Sequence, residues 1–436
     1  GDSGISSGLP DKPSAEEDSP GTETISEEMR VKITGEDLYI SAKLDAKTDI
    51  LYWFKKCMFN ELFTFYRVGT IDNNMPAPAT LPDASPTSLL NLAYSDNIGP
   101  FNITGYGWCG GNHPYLDEVT QTARNIGYRI YIDGKEGTTG LQIYDRLAGR
   151  EDIELLLIDE EKRKDSEERR KLIHAADIVF LCLPDMAAID AVALAEGSKA
   201  RIIDASTAHR TAAGWTYGMA ELSNAHREAI QKSNRVANPG CHATGFITST
   251  YPLVAQGVIP KDYPMTVFSL TGYSGGGKKM IAEYESPEKP QSYFAPRIYG
   301  LTLKHKHLPE MQKICGLDFP PVFSPIVDDY YKGMAVTIQL QNRLLPGKPT
   351  AEDIYEKLAG WYDGQKLIKV HPFGYDGMIA AADMAGRDSL ELIVNGHGEQ
   401  TMVTALFDNL GKGASGAAVQ NMNLMLGFEE TAGLAL

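Results

Sequence analysis

The sequence predicts an α/β fold for its larger part: a parallel sheet covered by helices on both faces, followed by an α+β domain. Three observations predict it. From Tyr128 to Asp204, short apolar runs alternate with helical stretches. A glycine-rich turn follows the first of those runs. Beyond Cys241 the apolar runs are rich in β-formers but lie further apart. Strand–helix–strand alternation implies parallel strands buried on both sides, whereas longer connections suit a mixed or antiparallel sheet.

The elements follow in order. Tyr128–Ile132 is a strand of β-formers, and the glycines of 134–140 turn the chain into a helix reaching about Leu147. Ile153–Ile158 is a strand, followed by a charged helix near 161–175. Ile178–Leu183 is apolar throughout, as in a strand buried on both faces. A helix covers about 186–196, and Arg201–Asp204 is a strand. Asn238-Pro239-Gly240 is a turn signal. A helix starts at Cys241 and runs through Phe246, Ile247, Tyr251 and Leu253 to Gly257. Met265–Leu270, Val322–Val327, Met334–Leu340, Leu390–Val394 and Thr401–Phe407 are strands. The last helix, about 413–427, begins with small residues and continues with Val419, Met422, Met425 and Leu426.

Composition limits the function classes. The chain has 436 residues, too many for one ordinary domain, and 43% are hydrophobic. The net charge of −16 argues against nucleic acid or an anionic membrane as a partner. No run reaches the roughly 18 apolar residues of a membrane span. Gly1-Asp2-Ser3 opens no secretory signal. The five cysteines are odd in number and form no CxxC pair, so neither a metal site nor a disulfide framework is expected. A cytoplasmic setting fits. Residues 1–30, with eight acidic and two basic residues, read as a disordered acidic tail. Residues 31–127 form an extra N-terminal segment of unassigned function. It holds the apolar run 49–54, the β-rich run 62–68, and Cys109 with His113 in a glycine-rich loop. The strand–helix alternation occupies 128–240 and the α+β part 241–409.

The chemistry centres on Asn-Pro-Gly-Cys-His-Ala-Thr-Gly, residues 238–245. A thiol at a helix N-terminus is favoured as thiolate, which lowers its pKa below the usual value of about 8.5. The alternative is a small buried cysteine after a turn. Gly134, Gly137 and Gly140, with Thr138 and Thr139, form a GxxGxxG turn between strand and helix. Such a Rossmann-like turn brings a pyrophosphate close to backbone N–H groups. Asp159 ends the second strand and suits an NAD ribose. Lys162, Arg163 and Lys164 beyond it suit a 2′-phosphate, so NADP is expected. His305 and His307 are two residues apart and face one way if extended. A histidine is the usual proton-transfer partner of a cysteine. Ser206 and Arg210 supply groups that bind phosphate or carboxylate. Residues 271–279, with Gly272 and Ser274, form a substrate nest or a flexible hairpin. Asn409 lies where the last helix opens.

The segments YIDGKEGTTGLQIYDRL, FLCLPD, DASTAHR, NPGCHATG, TGYSGGGK, YGLTLKHKHLPEM and DNLGKGASGAAVQNMN lie between residues 128 and 436. Together they resemble the N-acetyl-gamma-glutamyl-phosphate reductases of the short, type 2 form. The resemblance does not reach residues 1–127. It implies an aspartate-semialdehyde dehydrogenase-like architecture, with an NADP-binding domain at 128–240 completed by the C-terminal helix 410–436, a catalytic, substrate and dimerisation domain at 241–409, and a homo-oligomer, dimer or tetramer. It also implies NADPH-dependent reduction of N-acetylglutamyl 5-phosphate to the 5-semialdehyde, a step of arginine biosynthesis. Cys241 then forms the thioester, His307 is the acid/base and His305 binds substrate. Arg210 meets the phosphate or the carboxylate. Gly134, Gly137, Thr138, Gly140 and Asn409 contact the dinucleotide. His242 stands where the family accepts other residues. Aspartate-semialdehyde dehydrogenase is the nearest alternative enzyme; a binding module in 31–127 is the non-enzyme alternative.

Overall fold

The computed structural model describes residues 127–436 and three short strands before them. These are Arg30–Ile33 (β1), Leu38–Ser41 (β2) and Thr70–Ile71 (β3), with β1 antiparallel to the other two. Apart from Arg30, the expectations for the acidic tail, for 49–54 and 62–68 and for Cys109 with His113 lie outside the described residues. The chain divides into two compact units, Gly1–Gly127 with Glu151–Ile153 and Tyr128–Arg150 with Glu154–Leu436.

A six-stranded sheet has the order β5-β4-β6-β7-β9-β8. Its strands are Tyr128–Asp133 (β4), Ile153–Leu156 (β5), Ile178–Leu181 (β6), Arg201–Asp204 (β7), Thr216–Tyr217 (β8) and Arg235–Ala237 (β9). From β4 to β8 every pairing is parallel. Its helices are Thr138–Leu147 (α1), Ser166–Ala175 (α2), Asp185–Leu194 (α3) and Asn224–Lys232 (α4). The predicted charged helix begins later than expected. Glu160–Lys162 is a single 3-10 turn, and Asp165 caps α2 by accepting from the N–H groups of Glu167 and Glu168. Tyr131, Val179, Leu181 and Ile202 pack against Ile173 of α2 and against Ala188 and Ala191 of α3. The chain goes from β4 to β5 on one side and returns to β6 on the other. Ligands bind at such a switch point, beyond the carboxyl ends of the strands.

A second sheet of seven strands is mixed, with the order β11-β12-β10-β13-β16-β15-β14. Its strands are Thr266–Gly272 (β10), Arg297–Ile298 (β11), Val322–Asp328 (β12), Met334–Gln341 (β13), Ile368–Val370 (β14), Leu390–Gly396 (β15) and Gln400–Phe407 (β16). Its helices are Cys241–Ala255 (α5), Gly277–Glu285 (α6), Leu308–Cys315 (α7) and Ala351–Tyr362 (α8). The buried faces of α5, α7 and α8 close a core with Val336, Ile338, Leu392, Val403 and Phe407. Glycine at 245 permits close contact of α5 with the sheet, since a Cβ there would lie 2.6 Å from Val336. Pro252 inside α5 removes the donor for the Thr248 carbonyl, and the Tyr362 hydroxyl donates to it instead at 2.8 Å. A π-turn, Gly411–Ser415, leads into the last helix, Gly416–Leu426 (α9), which contacts α1, α4 and β7. Among the described residues no helix is long and apolar enough to cross a membrane.

Candidate active site

Two cavities lie at the carboxyl ends of the parallel strands. The first, about 570 Å³, is lined by the loop after β4, the segment after β5 and the residues after β6. Gly134 has φ +88°, and a Cβ there would meet the Cys182 carbonyl oxygen at 2.4 Å, so the turn requires glycine. The Gly137 N–H donates to the Gly134 carbonyl at 3.0 Å, and Gly137 caps α1. A Cβ at Gly140 would lie 2.4 Å from that same carbonyl. Gly134 and Gly137 line the cavity, whereas Gly140 allows the helix to approach the loop. This open, glycine-built end of α1 fits the phosphates of a dinucleotide. Below it, Arg169 grips Asp133 through both oxygens, the shorter bond being 2.7 Å. Arg163 and Lys164 line the same cavity, and Asp159 does not. Arg163 pairs with Glu160 at 2.7 Å and Lys162 with Asp159 at 3.3 Å, so two of the three basic groups already have acidic neighbours.

The second cavity, about 390 Å³, collects side chains from many parts of the chain. Cys241, His305, His307, Arg210, Ser274 and Asn409 all line it, as do Thr138, Thr139 and Gly272. Cys241 is the first residue of α5, with Gly240 as its N-cap. Arg210 is brought in by a loop built on Asp204. That carboxylate accepts from Ser206 N–H at 2.9 Å, Ser206 Oγ at 2.7 Å and His209 Nδ1 at 2.6 Å. Ser206 is therefore buried in the loop and lines neither cavity. Arg210 donates to the carbonyls of Asn238 and Ala205, at 3.0 and 3.1 Å, and to Glu310 at 2.9 Å.

Three expectations change. The segment holding His305 and His307 is a turn rather than extended: the His307 N–H donates to His305 Nδ1 at 3.2 Å, and the rings meet edge to face at 4.8 Å. Residues 273–276 form a 3-10 turn leading into α6, not a hairpin. The N–H groups of Gly272, Tyr273 and Ser274 donate to backbone carbonyls of Gly333, Tyr330 and Tyr331, so they do not form an open nest. Finally, burial pushes the Cys241 thiol up rather than down, although Arg210, the His242 N–H and Lys306 oppose it. Desolvation outweighs the helix terminus. The Cys241 thiol is therefore neutral at rest.

Bases are present. Burial holds His242 at about 3 and His305 at about 4, with neighbouring positive groups adding to the effect. His307 lies well below its ordinary range for the same reasons, burial first and Arg210 next. All three imidazoles are neutral at pH 7. His307 Nδ1 is buried and has no hydrogen-bond partner among the described residues. Glu310, Tyr299 and Asn238 carried little signal in the sequence. Glu310 stands out there only as a member of the segment YGLTLKHKHLPEM. Tyr299 and His242 are joined at 2.8 Å, and His242 is also bonded to Ser269 at 2.8 Å. Asn238 reads only as a turn, yet it donates to the Ala414 carbonyl at 2.9 Å. Asn409 is held between Gly333 N–H (2.8 Å) and Ser274 Oγ (3.0 Å).

Comparison with known proteins places this geometry. Residues 129–233 match the semialdehyde dehydrogenase NAD binding domain, and residues 241–409 match the semialdehyde dehydrogenase dimerisation domain. The chain is 45% identical over 318 residues to N-acetyl-gamma-glutamyl-phosphate reductase 2 of Nostoc sp., covering 70% of this chain and 99% of that protein. It is 48% identical over 305 residues to N-acetyl-gamma-glutamyl-phosphate reductase of Rhizobium meliloti, covering 68% and 98%. Among solved structures, aspartate semialdehyde dehydrogenase II from Vibrio cholerae, complexed with ASA, matches with a TM-score of 0.55 at 17% identity, over 69% of this chain and 98% of that one. Aspartate semialdehyde dehydrogenase with NADP from Candida albicans matches at 0.51 and 14%, over 69% and 98%. At these identities the structures support the fold alone.

Proposed function

The chain belongs to the N-acetyl-gamma-glutamyl-phosphate reductases, and from that premise we propose how its own residues reduce N-acetylglutamyl 5-phosphate. The observation that carries the reading is the meeting of the Cys241 thiol, neutral His307 and the Arg210 guanidinium in one cavity, beside a glycine-built cofactor turn. Cys241 Sγ attacks the acyl carbonyl. A carbon–sulfur bond forms and the carbon–oxygen bond to phosphate breaks. His307 takes the thiol proton and passes it to the departing phosphate. When bound at the glycine turn, the nicotinamide would supply the hydride that reduces the thioester carbon. The resulting alkoxide on Cys241 expels sulfur as thiolate and releases the semialdehyde, and a solvent proton restores the thiol. Splitting the reduction in this way replaces one difficult step by easier ones.

Arg210 steadies negative charge on the acyl phosphate as the bond to sulfur forms, and His305 contacts the substrate. Gly272 and Ser274 shape the substrate end of the cavity. Gly134, Gly137, Thr138, Thr139, Gly140 and Asn409 hold the dinucleotide. Arg163 and Lys164 favour NADP, because they line the first cavity beyond the second strand and Asp159 does not. The matched dimerisation domain supports a homo-oligomer. The test is an assay in the reverse direction, with N-acetylglutamate 5-semialdehyde, phosphate and NADP. Cys241→Ser should remove nearly all turnover. Retention within about tenfold, roughly 1.4 kcal/mol of barrier, would refute the thioester route.

A further inference from the structure

Beside the nucleophile, three side chains form one hydrogen-bonded line to which the reaction above gives no task. His242 follows Cys241 in the first turn of α5 and is 4% exposed. Its Nδ1 lies 2.8 Å from Ser269 Oγ on β10, and its Nε2 lies 2.8 Å from the Tyr299 hydroxyl. The rings of Phe323, His305 and His307 surround it, with centroids at 5.1, 5.4 and 5.5 Å. The Tyr299 N–H donates to the Pro325 carbonyl at 3.0 Å, which ties that residue to β12. Tyr299 is half-buried and lines the second cavity with Cys241. Counting hydrogens gives this line a direction. A neutral imidazole carries one N–H. Ser269 is 0% exposed, and its hydroxyl has no other partner among the described residues. A proton on Nδ1 would be donated to Ser269 Oγ, and the serine hydrogen would then be buried without an acceptor, at a cost of about 1–3 kcal/mol. With the proton on Nε2, Ser269 donates to Nδ1 and Nε2–H donates to the Tyr299 oxygen. No buried hydrogen is stranded, and the Tyr299 hydrogen is the free end of the line, turned into the cavity.

We propose that Ser269 and His242 make Tyr299 a one-way hydrogen-bond donor to the acyl oxygen of the Cys241 adduct, with His242 as the positioning residue and Tyr299 as the catalytic one. This rests on Cys241 being the nucleophile, as proposed above. The place follows from the chain: His242 is the neighbour of Cys241, so the hydroxyl it holds stands at the same helix end as the sulfur. The oxygen on the attacked carbon gains negative charge when sulfur adds, and again when hydride adds. A hydroxyl held with its hydrogen toward that oxygen stabilises the charge without reorganising at the moment of reaction. The hydrogen stays on Tyr299 throughout, so this contact transfers neither proton nor electron. The opposite pattern, with Tyr299 donating to Nε2, would offer the acyl oxygen only lone pairs. The line does not switch near neutral pH. Burial, with His305 and Lys306 nearby, holds the His242 pKa at about 3, and burial pushes the Tyr299 phenol up.

Isotope labelling of the histidine ring nitrogens in the full chain, read by NMR, tests the direction of the line. The His242 signals are those missing from His242→Gln. Nε2 should be protonated and Nδ1 unprotonated across the neutral range. Steady-state kinetics test the role. Tyr299→Phe should lower kcat about a hundredfold, the worth of one preorganised donor, with KM changed by less than about threefold. His242→Gln keeps an N–H where Nε2 stood and should retain more turnover than His242→Leu, which has none. If His242→Leu does not fold, His242→Met, unbranched and adaptable, takes its place. A merely structural role would make the two replacements of His242 equivalent. A proton on Nδ1, a loss in Tyr299→Phe confined to KM, or equal turnover in the two His242 variants overturns the proposal. The NMR reading needs no turnover, so its failure is distinct from failure of the thioester route, which shows as activity in Cys241→Ser.

Discussion

Gly240→Ala is the most economical perturbation of this site. The residue has φ −79° and ψ 147°, a conformation alanine adopts freely, so no backbone strain arises. The whole effect is steric. The added Cβ would sit 2.4 Å from Arg210 Nη1, 2.5 Å from His307 Nε2 and 2.7 Å from Glu310 Oε1. A normal contact needs more than 3.4 Å, so each group must retreat by about an ångström. They are ends of side chains, so the fold survives. Overpacking of this size costs about 1–3 kcal/mol of stability. The catalytic loss is larger in proportion, because a 1 Å misplacement of a reacting group costs on the order of a hundredfold. The variant should therefore keep its cofactor affinity, melt a few degrees lower and lose roughly a hundredfold in kcat, about 2.7 kcal/mol of barrier. Turnover by the reverse assay, thermal melting and cofactor titration check the three parts. Turnover within about threefold of the parent, with normal folding, would show that these side chains do not act where they converge.

Other perturbations probe other parts of the molecule. Arg163→Ala should narrow the preference for NADP over NAD by about tenfold, the worth of one charge-assisted hydrogen bond; equal dissociation constants in the parent would remove the basis of the assignment. Lys412→Met should be severe, because Lys412 is buried against Glu221 and Gln420, and Glu221 Oε2 already lacks a partner among the described residues. Leaving that carboxylate unpaired costs about 3–5 kcal/mol, read by chemical denaturation. Acid should destabilise the protein below pH 6.5 through His242. Its pKa falls from an ordinary 6.5 to about 3, chiefly by burial. The unfolded chain therefore binds a proton that the folded one refuses. The stability is fully present above pH 6.5 and declines as pH falls below it, by up to about 1.4 kcal/mol per pH unit. Melting curves of the parent and of His242→Gln between pH 7.5 and 5 should diverge; parallel curves would count against it.

Much of this molecule is written locally in its chain. The strand alternation from Tyr128, the glycine turn and the Pro-Gly before Cys241 each act over a few residues, through backbone sterics and hydrophobic period. They are therefore legible in sequence, as are the candidate residues that line the second cavity. The helix start at Cys241 was likewise readable, but its electrostatic outcome was not. A helix terminus favours the thiolate, yet desolvation by surrounding residues far away in the chain outweighs it, and desolvation is a property of packing. The same holds for Ser206, whose hydroxyl is taken by Asp204 two residues earlier, and for the N–H groups of 272–274, taken by carbonyls of 330–333. Glu310 does not stand out in the sequence, because nothing local shows that Tyr217, Gly240 and Arg210 converge on it. Its partners lie 93, 70 and 100 residues away. Sequence determined which groups were available; tertiary structure decided their charge and orientation, because both depend on burial and on neighbours distant in the chain.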